Sequence, residues 1–426
     1  MFSGQPYPMI FGIPRFLFCF LLTVLISWTA RGQNNVASPF SQFGIGDIDY
    51  RDYGRTDGIG STGIALTSPK YMNNLNPASY SSIETKAFLF EMSLREKTLS
   101  YRDQSNPSHS GSDLNFEKVA FGFRVAPFWT TGLGIKPFST VDYQVATLKN
   151  VSGSNDQFRS TATGNGGVTN LYWTNAFNIG KHLAIGISSS YLFGSINQNE
   201  ALLGTSTQDS LTVQQTSFLR GAYFQGGLLY LGRLGSHYKL GLGVVYNAKT
   251  PLRIDNNTYV EGGGGDTLKG FTNLVGFFEL PQYYGAGISL THNDRFTLAA
   301  DYKYYRWSDL NVVTPFYSLV NASRFSLGGE YSYFQPNSGD YFEKYFIQAG
   351  LFYENSYLQV NGQQLQSYGL TLGTGLPNKS NSIYFNIGME VGRRGTISNG
   401  LIQENYFMLK LNIVVRTPWF IRSKNF

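Results

Sequence analysis

Strict two-residue alternation constrains this chain more than any other feature. Phe407, Leu409, Leu411, Ile413 and Val415 fall on one face of a segment whose other face carries Tyr406, Lys410, Asn412 and Arg416. Ile383, Phe385, Ile387, Met389 and Val391 alternate in the same way with Asn386, Gly388, Glu390, Gly392 and Arg394. Residues 118–125 and 183–188 repeat the pattern. Such segments are β-strands with one apolar face and one face of charge, amide or glycine. A soluble sandwich also alternates, but it shares its apolar face between two sheets. Here the polar face is unusually small and the apolar face ends in aromatics, as a lipid-facing wall around a crowded bore requires.

Composition agrees. Aromatic residues make up 16% of the 426, charged residues only 14%, and there are 48 glycines. A disordered chain would be charge-rich and poor in aromatics. The net charge of +6 forms no basic cluster, which argues against a nucleic-acid partner. Alternating segments lie at about 84–101, 113–126, 128–147, 158–178, 182–197, 211–232, 236–250, 268–292, 294–307, 321–335, 343–358, 364–376, 382–395 and 402–415. These fourteen predict an all-β fold, a 14-stranded antiparallel transmembrane β-barrel with an N-terminal plug. The connections after the first five odd-numbered strands are expected to run about 10–17 residues and the even-numbered ones about 1–7, which puts both termini in the periplasm. Pro281 is expected at a loop base, and Glu261–Asp266 at the tip of the longest loop.

Residues 1–32 read as a signal peptide. Arg15 precedes an apolar run, Phe16 to Trp28, which is shorter than the roughly 20 residues a spanning helix needs, and small residues follow it. The single cysteine, Cys19, lies in that run, so the exported chain holds no thiol. Residues 84–426 form the barrel and residues 33–83 the plug. The plug does not alternate, and its near-apolar stretches, Gly58 to Leu66 and Leu75 to Tyr80, are costly to leave in water. Its Gly58, Gly60 and Gly63 lack the strand–turn–helix setting of a nucleotide loop.

The plug sequence GIGSTGIAL followed by NNLNPASY resembles the N-terminal hatch of the FadL-type hydrophobic-compound transporters, with Asn76, Pro77 and Ala78 matching the family's Asn-Pro-Ala motif. The segment Glu279 to Leu310 is similar to that family's eighth and ninth strands. The opening SPFSQFGIGD and the terminal QENYFMLKLNIVVRTPWFIR look like the Bacteroidota branch, whose relatives include the PorV-like shuttles of a secretion system. The resemblance implies an outer-membrane channel for passive uptake of fatty-acid-like hydrophobic molecules, with a lumenal pocket and a lateral opening towards lipid. The family's kink in strand three falls at Pro137 and Phe138, with Gly132 and Gly134 weakening the same stretch. Proline removes a ladder donor and can open the wall; an ordinary bulge that adjusts curvature explains it equally well.

Glu390, Arg394, Lys410 and Arg416 face the bore by alternation. They are wall charges paired with one another or with Asp52 and Asp57 of the plug, or else anchors for an anionic ligand. The four histidines show no metal-ligand spacing, and no Ser–His arrangement suggests an enzyme, so no catalytic residue, metal or cofactor is expected. Two functions follow. One is the hydrophobic channel, partnered by membrane lipid and a small apolar ligand. The alternative is a non-transporting subunit of an outer-membrane secretion or assembly complex. A continuous apolar tunnel would favour the first, a filled bore the second.

Overall fold

The computed structural model describes residues 38–102, 109–150, 157–203, 210–263, 267–314, 316–337, 340–378 and 381–418. The leader lies outside them. Fourteen antiparallel wall strands run in chain order: β1 Ala87–Arg102, β2 His109–Ala126, β3 Trp129–Asn150, β4 Gln157–Ile179, β5 Leu183–Leu203, β6 Leu211–Leu234, β7 (Tyr238–Asn247 and Thr250–Gly262), β8 (Thr267–Leu280 and Tyr283–His292), β9 Phe296–Tyr305, β10 Ala322–Asn337, β11 Asp340–Val360, β12 Gln363–Pro377, β13 Ile383–Gly395 and β14 Gln403–Pro418. β14 pairs with β1 from Gln403↔Arg102 to Pro418↔Ala87, which closes the cylinder. The end where β1 begins and β14 finishes is called proximal below, and the opposite end distal.

Side-chain alternation builds the wall as the sequence predicts. Phe407, Val391, Leu370 and Leu351 point outwards and are exposed, whereas Lys410, Glu390, Thr371 and Gln348 are buried in the bore. Exposed tyrosines mark two girdles. Tyr238 and Tyr246 on β7 belong to opposite girdles, about 26 Å apart along the strand, the scale of the roughly 25 Å apolar band of an outer-membrane barrel.

Strand ends differ from expectation. β5 continues to Leu203 and β7 to Gly262, so the distal connections after β1, β3, β5 and β7 are shorter than predicted. Beyond the membrane both faces of a strand meet water, and the period-2 signal fades. Glu261 is accordingly a ladder residue paired with Thr267, and the longest connection is 306–321. Pro281 is buried at a break inside β8, which continues on its distal side as Thr267–Leu280, and so is not a loop base. The distal turn between β11 and β12 is two residues, Asn361 and Gly362, both at positive φ (50° and 75°). That is the type I′ turn whose twist matches a right-handed hairpin.

Residues 38–83 lie inside the barrel as a hatch of short turns, Pro39–Gln42, Arg55–Ile59 and Pro77–Ser82, with a two-residue strand, Asp47–Ile48. Ile45, Ile48, Ile64 and Leu75 of the hatch join wall residues Val141, Val168, Leu192 and Leu252 in one buried cluster. Trp307 and Leu319 of the 306–321 connection complete it, and Trp307 stacks 4.6 Å from Tyr357.

Candidate functional site: the hatch and the break in the wall

Glycines let the hatch approach the wall. The Asn76 side chain accepts from the Ala78 N–H (3.0 Å) and caps the Pro77–Ser82 turn; its amide donates to Ile64 O (2.8 Å) and Leu228 O (3.1 Å). Pro77 occupies the first position of the turn, where a missing N–H costs nothing. Ala78 is fully buried against Ala184 and Leu229. A Cβ at Gly186 would lie 2.4 Å from Ala78 N, and one at Gly227 would lie 2.1 Å from Asn76 Oδ1. The motif therefore docks on two bare stretches of β5 and β6. Gly58 meets Gly373 of β12 just as closely, Gly60 takes the left-handed conformation that ends the Arg55–Ile59 turn, and Gly63 sits beneath Leu75.

Buried ion pairs fix the hatch in register. Lys410 reaches Glu390 (2.8 Å) and Asp57 (3.3 Å), and Arg51 reaches the other oxygen of Glu390 (2.9 Å). Lys118 joins Glu91 (2.9 Å) to Asp52 (3.4 Å). Arg55 holds Glu330 (2.7 Å) and Glu343 (2.8 Å) together. Arg394 reaches Asp47 (2.8 Å), while Arg416 pairs with Glu84 near the proximal rim. The four bore charges named from sequence are thus all engaged in ion pairs. Arg51, Arg55 and Glu91 were missed; Lys118, on the polar face of 118–125, and Asp301, within the family-like Glu279 to Leu310 segment, were noted without their hatch contacts. Asp301 accepts from the Gly63 (2.6 Å) and Ile64 (3.0 Å) N–H groups.

Two hatch carboxyls respond oppositely to this setting. Burial pushes Asp57 up to about 6, with Lys410 only partly opposing it. Burial would raise Asp49 as well, but Arg51 and Arg95 outweigh it and hold the group well below the usual range.

The ladder between β2 and β3 runs from Ala126↔Trp129 to Val119↔Ile135 and stops there. Among the described residues, Ser110–Lys118 pairs only with β1. On the β3 side the hatch takes the missing neighbour's place: Asp47 pairs with Thr140 and Ile48 with Ser139, and the Asp49 N–H donates to Phe138 O (3.1 Å). Pro137 lies two residues past the last wall pair, and the register with β4 shifts between Pro137 and Ser139. Phe138 is half-buried and meets Tyr223 edge-on at 5.9 Å. Gly132 and Gly134 fall in the paired part, where they make room for the Tyr80 and Tyr172 rings. Behind the break lies a cavity of about 100 Å³ lined by charged groups that include Asp49, Arg95, Asp113, Glu117 and Asp142.

A closed fourteen-strand barrel with an internal hatch belongs to the outer-membrane class of β-barrels. The BamG family model matches residues 13–425, and the chain belongs to that family. No curated protein matches it in sequence. Among solved structures, the fold is similar to the CymD monoaromatic hydrocarbon channel (TM-score 0.57, 16% identity, covering 88% of this chain and 99% of that one). It is equally similar to the Ralstonia pickettii toluene transporter TbuX (0.57, 16%, 86% and 98%). A Pseudomonas aeruginosa FadL homologue matches at 0.57 with 13% identity, covering 88% of this chain and 99% of that one. The fold is therefore that of the FadL-type hydrophobic-compound channels.

Proposed function

We propose that this protein is a sealed outer-membrane barrel that serves as a non-transporting subunit of an outer-membrane complex, with both termini on the periplasmic side and residues 1–32 removed on export. One observation carries the reading: the bore is packed and ion-paired. Where an apolar solute would need a tunnel, Ile45, Ile64, Leu75, Trp307 and Leu319 fill the distal half, and the small cavity directly behind the wall break is lined by charged groups. Moving an apolar surface past such groups forfeits about 25 cal/mol per Å² of transfer free energy. The family name BamG also points towards a complex. Extraction in mild detergent followed by native mass spectrometry tests the proposal: protein partners at fixed stoichiometry are expected, and a monomer carrying only lipid speaks against it.

A second reading is supported by the wall break. Small hydrophobic, fatty-acid-like molecules would leave the bore sideways between β2 and β3 at Pro137 and Phe138, as befits a fold shared with a hydrocarbon channel and a toluene transporter. Sequence placed this reading first, and the fold shared with solved hydrophobic-compound channels supports it. Pro137→Val restores a ladder donor, and slower uptake of a hydrophobic fluorescent tracer by cells carrying it would favour passage.

A further inference from the structure

The proximal mouth, beneath the hatch, is a vestibule of about 850 Å³. Its charges do not balance. Glu330 and Glu343 are both claimed by Arg55, and Asp294 by Lys239. Lys181 and Arg233 have no carboxylate within ion-pair distance among the described residues, although both line the space, and Lys70 of the hatch adds a third cation. Arg233 and Lys239 stand directly opposite each other in the β6–β7 ladder, and like charges in that position destabilise a hairpin. Asp294 offsets Lys239 alone. Thr67, Ser68, Thr291 and Thr297 add hydroxyl groups to the same surface.

We infer that the vestibule binds an acidic peptide segment of a partner protein, which deepens the subunit reading and rests on it. The shared chemistry is carboxylate or phosphate on surplus cations and hydroxyls, and three features favour a peptide. The space of about 850 Å³ is far larger than a single phosphate or headgroup anion fills. Arg233 and Lys239 share the inward face of their strands with the buried Leu229 and Gly241, whereas the outward face carries the exposed Tyr230 and Tyr238, so lipid headgroups meet the tyrosines and not the cations. The vestibule opens at the end that the subunit reading assigns to the periplasm, where partner domains lie.

The test uses the purified full chain in detergent and fluorescein-labelled hexaglutamate, with hexalysine, inorganic phosphate and phosphatidylglycerol vesicles as alternatives. Salt-sensitive binding of hexaglutamate is expected. Lys181→Gln with Arg233→Gln should weaken it at least about tenfold, at an unchanged unfolding temperature. Arg233→Glu, a second variant at the same rim, should lose hexaglutamate and gain hexalysine. Absent binding at low salt, binding indifferent to both variants, displacement by phosphate as effective as by unlabelled peptide, or equal capture by the vesicles would each overturn the inference. A chain that co-purifies with partners but ignores hexaglutamate loses this proposal and keeps the subunit reading. One that binds hexaglutamate through Lys181 and Arg233 but co-purifies with no protein loses the subunit reading, and the vestibule stands as an acidic-peptide site without an assigned partner.

Discussion

Single residues decide whether the hatch stays docked. Asn76 caps its own turn and donates to two carbonyls, one in the hatch and one in the wall. Asn76→Ala should cost about 2–4 kcal/mol, the loss of a cap plus unpaired buried acceptors. Hydrogen exchange should then rise in residues 60–83 while the wall ladder keeps its protection. Asp57 sets a pH dependence with a definite sign. Its carboxyl is raised by burial to about 6, so the stability it contributes is present in full below its ordinary value of 3.8 and is lost as pH rises through 6. The effect is at most roughly 3 kcal/mol. Asp47, Asp49 and Asp52 are shifted the other way and do not titrate in that window. Limited proteolysis should therefore cut the hatch faster at pH 7.5 than at pH 5, and Asp57→Asn should flatten the difference.

At the level of elements, sequence exposed what alternation writes and hid what it does not. Every wall strand crossing the membrane was visible, because one face meets hydrocarbon and the other a crowded bore. The distal extensions of β5 and β7 were not, since water on both faces erases the period. Glu390, Arg394, Lys410 and Arg416 were readable as inward-facing from their parity. Of the two hatch partners named for them, Asp57 does meet Lys410, whereas Asp52 pairs with Lys118; Asp47, the partner of Arg394, was not foreseen, because it lies more than 300 positions away and no periodicity links a coil to a wall. Arg55 was overlooked for the same reason. Pro137 lies two residues past the end of the β2–β3 ladder, but that Asp47–Ile48 would pair with the orphaned edge had no signal in a two-residue strand. The glycines at 186 and 227 reveal their purpose only against the hatch. Gly186→Leu should push Ala78 away and, by overpacking, lower stability by about 1–3 kcal/mol, read as a drop in hatch protection without loss of barrel assembly in the membrane.

The whole molecule is a cylinder closed by strand pairing and stoppered by a packed, ion-paired hatch. Arg55 is the place to break the stopper. Without it, Glu330 and Glu343 face each other unpaired, and breaking a buried pair by removing one partner costs about 3–5 kcal/mol. Arg55→Met removes the charge, together with the guanidinium's stacking on Phe346, while leaving an unbranched apolar side chain, so the hatch should loosen while the wall remains. Conductance of the full-length protein in planar lipid bilayers measures this directly. The wild type should be silent and Arg55→Met should show frequent openings. Steady wild-type conductance, unchanged by Arg55→Met, would contradict the sealed barrel.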